Sequence, residues 1–246
     1  MIVSGKGKGL ILGSVGLAAC VAIGAALWLR RGPDPEFIPA MAPFIAADGS
    51  RLYVQAREVT VAEWNRCHDD GACALRLKPP SGEPGTDWPA TGLSSIDVRE
   101  YVAWIIRVSR HEFRLPTARD WYAVAAPVLP KAPDPIFTDP ELSWASAYLL
   151  EKGVSRRLRP SGAWAVTAEG VADLNGNVWE WTQDCYQQGV DAGSCPAFIV
   201  GGEHEAVIPY PVRDPARGGC AVGAPPPHLG MRLVTDKNPS SDGDRG

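Results

Sequence analysis

The stretch Ala172–Asp184, ADLNGNVWEWTQD, constrains this chain more than any other. Asn175-Gly176-Asn177 reads as a tight turn, because Asn and Gly tolerate positive φ. Trp179 and Trp181 then alternate around Glu180, the pattern of a strand that buries one face. A carboxylate between two tryptophans needs a partner, because an uncompensated buried charge is costly. On the residues alone three partners remain open: capped backbone amides, an arginine, or a hard cation. Asp173 and Glu180 could give such a cation carboxylate oxygens while the turn gives carbonyls, a donor set suited to Ca²⁺.

The surroundings agree with an irregular fold pinned by large aromatic rings. Gly (26) and Pro (23) make up about a fifth of the 246 residues, against roughly 12% in an average protein. Nine tryptophans are many for this length. The apolar fraction of 45% suffices for a sizeable core, and a net charge of −4 gives no basic surface for nucleic acid.

Three helix starts carry their own caps. Thr60 with Glu63 forms a capping box, for a helix to about Cys67. Ser94 and Asp97 open a second helix to about Arg110, on which Val98, Tyr101, Val102, Ile105 and Ile106 form one apolar face. Thr117 and Asp120 open a third, which must stop before Pro127. Strand-like runs follow at Phe198–Val200 and Met231–Val234. The class is α+β, with helices early and short strands later.

The N-terminus reads differently. Residues 9–29 carry no charge, enough length to span a bilayer, with Lys6 and Lys8 before them and Arg30 and Arg31 after. The leading expectation is an uncleaved single-pass anchor in the cell membrane. The alternatives are a cleaved signal peptide of a secreted protein, or a lipoprotein acylated at Cys20 after Leu17-Ala18-Ala19. Segment boundaries are then 1–31 for the anchor, 32–56 for linker and domain entry, 57–235 for the domain, and 236–246 for a disordered polar tail.

Cysteine spacing points to the compartment. Cys67 and Cys73 bound one short loop, and Cys185 and Cys195 bound another. Two such loops predict two disulfides, and so an oxidising space, the periplasm or the cell exterior. Neither spacing is that of a zinc knuckle. Beyond Cys20, one thiol is left over. Cys220 is the candidate, or an alternative partner for Cys185 or Cys195.

The motif resembles the "GNVWEW" signature of the formylglycine-generating-enzyme (sulfatase-modifying-factor) family. Other segments match in the family's order: REVTVAEW (57–64), FRLPTARDW (113–121), Val200-Gly201-Gly202 for the start of "RGGSW", and LGMRLV (229–234) for the closing "GFRLV". The resemblance implies a single α+β domain, related to the C-type-lectin fold, with much irregular backbone. It also implies structural calcium held by the Asp173 side chain, the Gly176 and Val178 carbonyls and the Glu180 carboxylate. Active family members oxidise a substrate cysteine at copper held by two thiolates, and soft Cu(I) needs them. Counted from Gly201-Gly202, those cysteines fall on Ala206 and Pro211, so no copper is expected. The iron-dependent relatives need clustered histidines, and His68, His111, His204 and His228 show no such spacing. His68 is expected in solvent and His111 at the C-terminal end of its helix.

The functional expectation is therefore a membrane-anchored, extracytoplasmic, non-catalytic binding or scaffold module. The family's substrate groove, or the loops from Glu203 to Pro227, would engage a peptide or an envelope protein. The rival is an oxidoreductase with a non-standard centre, formylglycine-generating or non-haem-iron in type, modifying a protein cysteine or a small substrate.

Overall fold

The computed structural model describes residues 1, 37–80, 87–131, 134, 136–142, 145–146, 149, 157–191, 193–203, 206–213 and 228–239. The expected membrane span, Cys220, His204 and most of the tail fall outside these residues. Among the described residues no helix is long and apolar enough to cross a membrane.

The elements run β1 (Met41–Ile45), β2 (Arg51–Gln55), α1 (Val61–Asp69), α2 (Ser95–Ser109), α3 (Ala118–Ala125), a 3-10 turn (Pro140–Leu142), β3 (Trp179–Cys185), β4 (Ala197–Gly201), β5 (Ala206–Pro209), β6 (Leu229–Gly230) and β7 (Val234–Thr235). They make two small sheets, ordered β1-β2-β7 and β5-β4-β3-β6. The first is antiparallel. In the second, β3 runs antiparallel to β4 and parallel to β6.

The capping box expected at Thr60 forms, and the two other expected helix starts, Ser94 and Thr117, are N-caps of capping boxes as well. Each hydroxyl accepts a backbone N–H at the third helical position, and each acid answers at the cap nitrogen. The first helix ends at Asp69, two residues later than expected.

The domain begins earlier than residue 57. Residues expected as linker and entry form the β1–β2 hairpin, and β2 pairs with β7 at the far end of the domain. Its turn is built by Asp48, whose carboxylate takes the N–H of Ser50, and by Gly49 at φ 82°. At the other end, Asp236 accepts from Arg114 at 3.0 Å, so the domain's contacts continue into the expected tail.

The run Met231–Val234 is not one strand. Leu229–Gly230 pairs with β3, Val234–Thr235 pairs with β2, and the residues between bridge the two sheets. There the Met231 carbonyl accepts from Val59 N–H and the Leu233 carbonyl from Gln55 N–H. Met231 and Leu233 belong to the larger apolar core, with Trp64, Trp104 and Trp181. Val234 belongs to a second core, with Leu52, Val54, Trp121 and Leu174.

Candidate functional site

The segment that joins the two cores carries Arg232, and Arg232 meets the expected Glu180. Both side chains are essentially sealed from water, at 1% and 0% exposure. Arg232 Nε donates to Glu180 Oε2 at 2.7 Å and Nη2 donates to Oε1 at 2.7 Å. The remaining guanidinium donors reach the carbonyls of Gln55 (3.0 Å) and Ala172 (2.9 Å). Trp121 Nε1, from α3, adds a third donor to Glu180 Oε2 at 2.7 Å. The strand around Glu180 is buried on both faces, not one as its alternation predicts, because α3 and Arg232 cover the Glu180 side. Of the three partners left open by the sequence, the structure shows the arginine.

The motif's other polar groups serve its loop. Asp173 is fully buried, and its carboxylate accepts the backbone N–H of Trp164 (2.9 Å) and of Gly162. Asn175 Oδ1 accepts from Ala165 N–H at 3.1 Å, and Asn177 Oδ1 from Arg159 N–H at 2.9 Å. These bonds clamp residues 159–165 over the turn. Positive φ falls on Asp173 (69°) and Asn177 (71°), not on Gly176. Gly176 is needed for another reason: a Cβ there would lie 2.7 Å from the Trp164 ring.

Glu58 completes the cluster. It is fully buried, and Asn177 Nδ2 donates to its Oε1 at 3.0 Å, while Oε2 has no hydrogen-bond partner. Burial pushes its carboxyl up to about 8. Arg232 opposes that rise, and the nearby Asp173 and Glu180 add to it.

As they stand, these groups do not fit the calcium ion expected at Asp173, Gly176, Val178 and Glu180. The Glu180 oxygens are engaged by a guanidinium and an indole, and those of Asp173 by backbone amides. Among the described residues no three His, Cys, Asp or Glu side chains are grouped to hold a metal.

The two positions where the resemblance would put copper cysteines lie elsewhere. Ala206 opens β5, paired with Val200 and buried at 1% exposure, and Pro211 follows two residues after that strand. Gly201 and Gly202 lie beneath tryptophans. A Cβ on Gly201 would come within 2.3 Å of Trp121, and one on Gly202 within 2.3 Å of Trp179. After β5, Arg213 forks onto Asp97 at the start of α2, with Nε at 2.8 Å and Nη2 at 2.7 Å.

Both expected disulfides are formed, Cys67–Cys73 and Cys185–Cys195. The first ties the end of α1 to the following loop, and the second ties the end of β3 to the start of β4. His68 is half-buried, with Nδ1 3.2 Å from Asp69. His111 is buried, edge-on to Phe113; the helix before it ends at Ser109 and is capped by Arg110, in left-handed geometry at φ 61°. His228 borders a cavity of about 370 Å³ lined also by Val61, Leu77, Lys78, Pro89 and Leu158.

Residues 34–237 match the sulfatase-modifying factor enzyme 1-like domain. Among solved structures the chain resembles PvdO from Pseudomonas aeruginosa, at 18% identity and a TM-score of 0.51, covering 76% of this chain and 80% of that one. It also resembles Treponema denticola variable protein 1 (15%, TM-score 0.52, 80% and 95%) and CarF (14%, TM-score 0.52, 76% and 87%). At these identities the likeness shows the fold. No curated protein matches the sequence. The chain belongs to the sulfatase-modifying factor family.

Proposed function

We propose that this member of the family is a non-catalytic binding or scaffold module. In this reading it is anchored in the cell membrane through residues 9–29, with its domain in the periplasm or outside the cell, and engages an envelope protein or peptide. One observation carries the loss of catalysis. Counted from Gly201-Gly202, the places of the family's copper cysteines fall on Ala206 and Pro211, and neither side chain has an atom that binds a metal. The two disulfides support the extracytoplasmic placement, because such bonds persist in oxidising compartments.

The test is made on the purified full-length chain. Metal analysis and oxygen uptake are measured with a cysteine-containing sulfatase peptide as substrate. Neither bound copper or iron nor oxygen uptake is expected. Stoichiometric copper or iron together with turnover would replace the binding module with the rival oxidoreductase. Cell fractionation, with protease added to intact and to opened cells, reads anchoring and sidedness separately.

A further inference from the structure

The family's calcium motif is present in this sequence, yet its carboxylate is already occupied by a cation of the chain's own. A Ca²⁺ site wants six to eight oxygens turned towards one point. Here Glu180 Oε2 takes two donors, Trp121 Nε1 and Arg232 Nε, and Oε1 takes Arg232 Nη2. Asp173 spends its oxygens on the N–H groups of Gly162 and Trp164. The Arg232 guanidinium brings a full positive charge to the carboxylate that a divalent ion would share. Positive charges a few ångströms apart in a dry interior repel strongly.

We propose that Arg232 is the resident cation of this motif, and that the domain folds and holds residues 172–184 in place without calcium. The residue type fits the role. The planar fork meets both Glu180 oxygens while its remaining N–H groups reach Gln55 and Ala172 carbonyls on two other segments. One side chain thereby ties β2, β3 and the segment before β3 to the β6–β7 bridge, a joining role that a coordinated metal often fills. Glu58, Asp173 and Glu180 all lie within its electrostatic reach.

The experiment melts the full-length chain, stripped with EGTA, with and without added calcium chloride. The midpoint is expected to be the same in both. A specific site saturated a hundredfold would raise it by about 5–10 °C in a domain of this size. A rise of that size, lost in Asp173→Ala, overturns the proposal. A rise that Asp173→Ala keeps belongs to calcium bound elsewhere and leaves Arg232 as the motif's cation. If that variant does not fold, crystals of the wild-type chain grown in calcium chloride decide. An anomalous peak bonded to Glu180 overturns the proposal, and an unbroken Arg232–Glu180 fork without a peak supports it.

Discussion

Two arginine–carboxylate forks of nearly equal geometry hold this domain together, and they differ chiefly in water. Glu180 and Arg232 meet at 2.7 Å twice, inside the joint between the two cores. Asp97 and Arg213 meet at 2.7 and 2.8 Å, but half of the Arg213 side chain (51%) is exposed. In the first, neither charge can return to solvent without opening the fold. In the second, Arg213 can leave while Asp97 stays bonded to the Ser94 cap. Matching bond lengths therefore say little about energy. The cost of losing one partner decides it.

The largest consequence concerns the buried fork. Arg232→Met and Glu180→Gln each leave polar or charged groups without partners and should each cost about 3–5 kcal/mol of stability in urea denaturation. Arg232→Met combined with Glu180→Gln should cost less than the two single losses added together, since no unpaired charge remains. Simple additivity would show that the pair is not the coupled unit that its geometry implies.

The surroundings of the two forks should also answer pH with opposite sign, through Glu58 beside the buried one and Asp97 in the outer one. Glu58 beside the buried fork has its carboxyl raised to about 8. The folded chain therefore holds a proton that the unfolded chain releases near 4.5. Stability from this group is complete below about pH 4.5 and falls as pH rises towards 8, with a slope of up to about 1.4 kcal/mol per pH unit. Glu58→Gln should flatten that fall, and an unchanged pH profile of the melt would remove Glu58 from the account. At the outer fork, burial works against ionisation of Asp97, but hydrogen bonds from Arg213 and Ser94 outweigh it and hold its carboxyl below the usual value. Its contribution is present at neutral pH and is lost only as pH falls through that lowered value.

Gly201 offers a lever on the buried fork from outside it. A Cβ at this position would lie 2.3 Å from the ring of Trp121, the indole that donates to Glu180. Gly201→Ala should cost about 1–3 kcal/mol through displacement of that ring. Its effect should couple to Arg232→Met and add independently to any change at Arg213, read in double-mutant cycles.

Much of this was legible in the sequence where the physics is local. Thr60, Ser94 and Thr117 each stand three residues before their capping acid, and each cysteine pair closes a short loop. Glu180 needed a partner, and that need was visible; its identity was not. Arg232 lies 52 residues away, beyond any local pattern. The β1–β2 hairpin carried a signal that composition obscured: Asp48-Gly49 between two apolar runs is a hairpin turn, although the region resembles a linker. The glycines were misleading in a different way. Gly176 stands in a turn yet serves packing against Trp164, and Gly201-Gly202 makes room for two tryptophans. Such reasons appear only once distant rings have been brought together.

The smallest expected effect is at the outer fork, and it sharpens the comparison most. Arg213→Ala should cost only about 0.2–1 kcal/mol, and less at high salt, because the lost charge is solvated and Asp97 keeps its cap on α2. Asp97→Ala removes cap and fork together and should cost more than Arg213→Ala by about the value of a helix cap, roughly 1 kcal/mol. Chemical denaturation at low and high salt measures both. If Arg213→Ala proved as damaging as Arg232→Met, exposure would not be what separates the two forks, and Arg213 would have to be what holds Val212 against the larger core.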